Sequence, residues 1–223
     1  MKNILIPVGV IALLALSYGF SSQDKKPAAP AAAPAKSALS DADVIKAQKP
    51  SYPLETCPVS GKPLGKDAID VVKDGHLVRT CCSKCAAKVD DAAIKKVDEA
   101  VVAAQMKSYP MDVCPMSGEK LDDKATSHVV GTRLVRFCCD KCYASFQKDP
   151  KPAMAKLDAA YISAQTKTYK LKTCPVSGEE LGKSGTPVDY LYGTTLVRFC
   201  CKDCVKDMEK DPDAVMKKVK AAQ

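Results

Sequence analysis

The chain has 223 residues, a formal net charge of +8, no tryptophan and four phenylalanines. Nucleic-acid binding would call for a basic stripe interleaved with stacking aromatics. Neither is visible, so the lysines read as solvated helix faces and no nucleic-acid partner is expected. The length alone would suit one or two domains, but an internal repeat overrules that prior.

The head of the chain stands apart. Lys2 supplies a positive start, residues 4–16 are apolar apart from Pro7 and Gly9, and Ser17, Gly19 and Ser21 are small residues suited to cleavage. Residues 1–21 therefore read as an export signal. The apolar run is short for a membrane span; left uncleaved, it would be the chain's one membrane anchor. Residues 22–43 follow as a Pro/Ala-rich, semi-rigid linker. The expected location is periplasmic or extracellular, where thiols oxidise and disulfides are the default.

The remainder repeats three times. Glutamines 48, 105, 165 and 223 mark a period of 57, 60 and 58 residues, giving Cys modules at 44–105, 106–165 and 166–223. Modules of this size bury too little apolar surface to be comfortably stable alone and usually need a metal or disulfides as staples. All 12 cysteines fall in the modules, four in each. One lies in a turn written TCPVSG, VCPMSG or TCPVSG: Cys57, Cys114 or Cys174. Three lie in RTCCSKC, RFCCDKC or RFCCKDC: Cys81, Cys82 and Cys85; Cys138, Cys139 and Cys142; Cys200, Cys201 and Cys204.

Between these motifs each copy carries two short β-rich runs around Asp74-Gly75, Gly131-Thr132 or Gly193-Thr194, a hairpin signal. The second strand ends at the double cysteine, and a helix follows. In the second copy Asp140 is expected to cap it, with Cys142 and Phe146 on one face. Asp149-Pro150 and Asp211-Pro212 should end that helix and start another, with Met154 and Leu157, or Met216 and Val219, as its apolar stripe. The first copy lacks the Asp-Pro pair and is expected to run as one helix over residues 83–105. The fold class is α+β: three tandem modules, each a cysteine turn, a β-hairpin and a helix. Thiols in the first turn of that helix should ionise readily near its positive end.

This layout is that of a treble-clef finger. The motifs CPVSG, FCC, Cys-x3-Cys and the downstream CYASFQKDP resemble the TRASH and YHS modules, a resemblance that covers the chain from about Tyr52 onward. It implies heavy-metal trafficking, resistance or sensing. The chain departs from related fingers at the second knuckle position, where Ser60, Ser117 and Ser177 stand in place of a cysteine.

Adjacent strand residues point to opposite faces, so Cys57, Cys81 and Cys85 form the natural three-point set and Cys82 is an auxiliary thiol. Three thiolates suit Cu(I) or an exchangeable Zn(II) site, one ion per module. The third copy has no histidine, so His76 and His128 are not common ligands and read as surface hairpin residues. A metal-handling protein would be the partner. Two alternatives use the same atoms: disulfide-stapled structural modules, and a thiol–disulfide oxidoreductase built on Cys82 and Cys85. No Ser/His/Asp set recurs, so no hydrolytic activity is expected. Tyr52, Tyr109 and Tyr169 should pack hairpin against helix with the hydroxyl outward. Arg79, Arg136 and Arg198 either favour the thiolates or point outward from the strand.

Overall fold

The structure is a computed structural model and describes residues 39–222. Residues 1–21, read as an export signal, lie outside the described residues, as does the stretch read as linker up to residue 38. The described chain opens with α1, Asp41–Gln48, which begins inside the stretch read as linker. Ser40 caps it: its hydroxyl accepts from the Asp43 N–H while the Asp43 carboxylate reaches back to the Ser40 N–H, a reciprocal capping box. A 3₁₀ turn follows at Lys49–Ser51.

Each of the three modules then contains one two-stranded antiparallel hairpin. These are β1 (Ile69–Lys73) with β2 (His76–Thr80), β3 (Thr126–Val130) with β4 (Arg133–Phe137), and β5 (Val188–Tyr192) with β6 (Thr195–Phe199). All have two-residue turns at the expected places. Asp74 and Gly75 both have positive φ, 51° and 81°, as a type I′ turn requires. The other two turns place glycine first, and Gly131 is there for space as well. A Cβ on it would lie 3.0 Å from the Gln48 side chain.

Two helices follow each hairpin. In the first copy α2 spans Ser83–Ala86 and α3 spans Asp91–Gln105. The single helix expected over 83–105 is therefore broken, because Asp90 turns its carboxylate onto the Ala93 N–H and starts a new helix. In the second copy α4 is Asp140–Lys148 and α5 is Lys151–Thr166. Cys139 holds the N-cap position there, and Asp140 is the first helical residue instead of the cap. In the third copy α6 is Lys202–Lys210 and α7 is Pro212–Ala221, with Asp211 capping α7 as expected. Among the described residues no helix is long and apolar enough to cross a membrane.

The glutamines that mark the period have a physical task. Gln48 donates to the Gly75 carbonyl at 2.6 Å and accepts from the Leu77 N–H at 2.8 Å. Gln105 grips Thr132 O and Leu134 N–H in the same way, and Gln165 grips Thr194 O and Leu196 N–H. Each amide satisfies both backbone groups that a hairpin turn leaves open. Four residues on, a tyrosine repeats the device. The Tyr52, Tyr109 and Tyr169 hydroxyls accept from the backbone N–H of Arg79, Arg136 and Arg198, each at 3.1 Å. The outward hydroxyl expected for these tyrosines is thus corrected: it faces the strand, where an unpaired N–H would be costly. The helix ending one copy therefore holds the hairpin of the next.

Packing follows the same interlock. Val97 and Val101 of α3 bury themselves against Leu134 of the second hairpin. Leu157 and Tyr161 of α5 share a cluster with Phe137, Phe146 and, from the third hairpin, Leu191. Met208, Val215, Met216 and Val219 close over Val197 and Phe199. Replacing Gln105 with alanine leaves a buried N–H and a buried carbonyl without partners. It should lower stability by about 1–3 kcal/mol, read as a shift of the urea unfolding curve. An unchanged midpoint would show the clamp to be dispensable.

Candidate metal centre

Three elements converge on each site. The first is the cysteine turn, closed by short backbone bonds: Cys57 N–H to Lys62 O and Gly61 N–H to Cys57 O, both 2.7 Å. It lays the sulfur inward, and Cys57, Cys114 and Cys174 are each only 1% exposed. The second is the end of the hairpin, where the residue after β2, β4 or β6 is Cys81, Cys138 or Cys200. The third is the first turn of the following helix, carrying Cys85, Cys142 or Cys204. A lysine from the long helix ties the turn to that helix. Lys96, Lys156 and Lys218 donate to the carbonyls of Pro58, Pro115 and Pro175 at 2.8, 2.9 and 2.6 Å.

The result is three corresponding trios, Cys57/Cys81/Cys85, Cys114/Cys138/Cys142 and Cys174/Cys200/Cys204, of which the third is wholly buried. Within each, the sulfur atoms all lie within 4.8 Å of one another. A tetrahedral zinc–thiolate bond of about 2.3 Å implies an S···S edge of about 3.8 Å. The Cys81–Cys85, Cys138–Cys142 and Cys200–Cys204 distances are 3.8, 3.6 and 3.6 Å. The donor set therefore fits one thiophilic ion per copy. The fourth cysteine of each copy stands beside the trio, outside it. Cys82, Cys139 and Cys201 are exposed, in extended backbone at the helix N-cap. Each sulfur nonetheless touches one member: Cys82 lies 3.9 Å from Cys81, Cys139 3.8 Å from Cys138 and Cys201 3.6 Å from Cys204. None of the 12 cysteines is in a disulfide in this structure.

The thiols of a trio are not alike. Burial would push Cys57 up, but the Ser60 hydroxyl and the N–H groups of Cys81, Ser60 and Val59 all point at its sulfur and hold it at about 6. Burial is outweighed in the same way at Cys114 and Cys174, again at about 6, by the hydroxyl and N–H of Ser117 or Ser177 and by neighbouring N–H groups. The helix-turn thiols go the other way. The Ser60 hydroxyl favours ionisation of Cys85, but burial and the thiols of Cys82, Cys81 and Cys57 push it up to about 11. Cys142 and Cys204 are likewise raised, chiefly by burial. Thiols eased toward ionisation at the helix start are instead the exposed ones. Cys82, Cys139 and Cys201 are lowered first by the N–H of Cys85, Cys142 and Cys204, the open donors of the helix end.

The other residues singled out in the sequence serve the scaffold. Arg79 and Arg198 pair across the hairpin with Asp70 and Asp189 at 2.8 and 2.7 Å. Each guanidinium also lies over the ring of Tyr52 or Tyr169, 6.0 Å from its centroid. Arg136 faces Ser127 across its hairpin. His76 sits 3.7 Å from Asp98 of α3, and His128 stacks on Tyr143 with centroids 3.5 Å apart. Both histidines are half-buried, and neither belongs to a sulfur trio. Sequence reasoning missed the lysine ties. It also took the knuckle serines for gaps, whereas each hydroxyl lies 3.3–3.4 Å from the hairpin-end sulfur, at Cys81, Cys138 or Cys200.

Comparison of the chain with protein-family models, with curated proteins and with solved structures finds no significant match.

The thiol asymmetry has a measurable consequence. A knuckle pKa of about 6 lies below the ordinary thiol value of about 8.5. These thiolates thus stabilise the metal-free fold above that ordinary value, and the contribution is lost as pH falls through about 6. Thiolate absorbance of the reduced, metal-free protein should drop through that pH, and Cys57→Ser should remove about a third of the step. A first step near the ordinary thiol value would contradict the assignment.

Proposed function

We propose that this chain is an exported, non-enzymatic soft-metal-binding protein that takes up one Cu(I) or Zn(II) per module and serves in metal buffering, sequestration or handover. The observation that carries the reading is the threefold recurrence of one sulfur trio, built each time from a knuckle, a strand end and a helix turn. Cys57/Cys81/Cys85, Cys114/Cys138/Cys142 and Cys174/Cys200/Cys204 are the ligands. Cys82, Cys139 and Cys201, exposed and touching one ligand each, act as auxiliary thiols that meet an incoming ion first and release it last. Ion exchange between such neighbouring thiolates suits handover to a metal-handling partner better than permanent structural binding.

Two further features support this reading. The motifs resemble the TRASH and YHS modules, with a treble-clef order of knuckle, hairpin and helix. The N-terminal residues have the pattern of an export signal, which supports a location in the periplasm or outside the cell, with the Pro/Ala segment as a spacer.

The test is a titration of the reduced, full-length protein with Cu(I) and, separately, with Zn(II). Saturation should come at three ions per chain for at least one of them. Cys138→Ser should lower that number to two, while Cys139→Ser leaves it at three and slows transfer to a competing chelator. Failure of the reduced protein to take up either ion would remove the proposed role.

A further inference from the structure

Each knuckle places a hydroxyl where a Cys-x2-Cys knuckle would place its second sulfur. The three serines share two contacts, and the second site adds a third group: the Cys138 thiol also donates to the Glu119 carboxylate at 3.1 Å. Ser60 Oγ is 3.3 Å from Cys81 Sγ, Ser117 Oγ 3.4 Å from Cys138 Sγ and Ser177 Oγ 3.3 Å from Cys200 Sγ. Each oxygen also accepts a hydrogen bond from the backbone N–H two residues on, Lys62 at 3.4 Å and Glu119 and Glu179 at 3.3 Å. That bond fixes the side chain and occupies an oxygen lone pair. Once the sulfurs are thiolates and have no proton of their own to give, the hydroxyl is the only donor of the pair and its proton is directed to sulfur.

A group arranged in this way donates to thiolates instead of binding an ion. A neutral hydroxyl is a hard, weak ligand beside three soft ones. The charge balance differs between the two candidate ions. Three thiolates around Zn(II) leave one net negative charge and an open corner, whereas structural zinc closes its shell with four ligands. Three thiolates around Cu(I), which is content with three sulfurs, leave two net negative charges and no open corner. Surplus charge on sulfur is what an O–H donor stabilises. From this geometry we infer that Ser60, Ser117 and Ser177 are specificity-determining residues. Each fills the fourth corner with a hydrogen-bond donor, so that its site favours three-coordinate Cu(I) over four-coordinate Zn(II). The inference rests on the proposed metal-binding role and adds to it the class of ion.

The experiment uses the full-length reduced protein, a triple Ser→Cys variant and a triple Ser→Ala variant at positions 60, 117 and 177. Cu(I) and Zn(II) affinities are measured anaerobically against chromophoric chelators, and the number of sulfur neighbours by X-ray absorption. Ser→Cys should tighten Zn(II) by at least about 100-fold, by completing a four-sulfur shell, and shift Cu(I) by less than about tenfold. Ser→Ala should weaken Cu(I) by about tenfold, the low end of what loss of an outer-shell partner costs, with three sulfur neighbours retained. The inference is overturned if Ser→Cys leaves Zn(II) affinity unchanged. It is also overturned if Ser→Ala abolishes Zn(II) binding while sparing Cu(I), because the serine would then be a zinc ligand. Absence of binding of both ions to the unsubstituted protein would overturn the metal role itself, a result distinct from either.

Discussion

Three thiols held within 4.8 Å of one another ionise together only against mutual repulsion, which a cation between them would remove. That constraint governs the rest of the molecule. The knuckle relieves it for one sulfur by aiming a hydroxyl and several N–H groups at it. The ionised sulfur then opposes ionisation of its neighbours, and the helix-turn thiol rises in each copy. A metal-free trio is therefore a partly charged pocket. A soft cation bound there would displace the remaining protons, which would make ion uptake and proton release one event.

Holding sulfurs so close requires rigid walls, and a module with this little aromatic mass does not supply them alone. The chain meets the need by sharing. The helix that leaves one trio is tied to that trio's knuckle by lysine, and its far end grips the next hairpin through glutamine and the tyrosine beyond it. The strand so gripped ends at the next trio. At the start of the series α1 performs this service for the first hairpin. Gln48–Ser51 also receives the second hairpin turn: the Thr132 hydroxyl donates to Gln48 O at 2.7 Å and lies 2.8 Å from the Ser51 hydroxyl.

Much of this was legible in the residues. Asp74-Gly75 and the two Gly-Thr pairs fix the hairpin turns because few other dipeptides accept the backbone angles involved. The double cysteine marks the strand end, and period-two alternation there separates Cys81 from Cys82. The α+β class, the three modules and the sulfur trios followed from those local rules. What escaped depends on contacts between distant residues. The glutamines were visible as a period, but nothing local says that an amide will chelate a turn 27 residues away. The lysine ties defeat a fixed template because their separation from the knuckle drifts from 38 to 41 to 43 residues. The break before α3 was missed because Asp90 caps without the proline that flagged the other two copies. The start of α1 was hidden by an Ala-rich segment that reads equally as spacer until Ser40 and Asp43 are seen to cap each other. The dipole argument did not separate the thiols of the helix start: the first free N–H groups reach the N-cap sulfur, and Cys82, Cys139 and Cys201 are the ones lowered.

The central claim is that the trios are ion sites and not a disulfide framework in waiting. The most direct measurement is a paired count on the protein purified without added reductant: free thiols under denaturing conditions, and bound metals by elemental mass spectrometry. The account predicts that most of the 12 cysteines remain as thiols, with one soft ion bound for each trio, which also identifies the ion. Few free thiols and no metal would contradict it, and would show that disulfides hold the modules together.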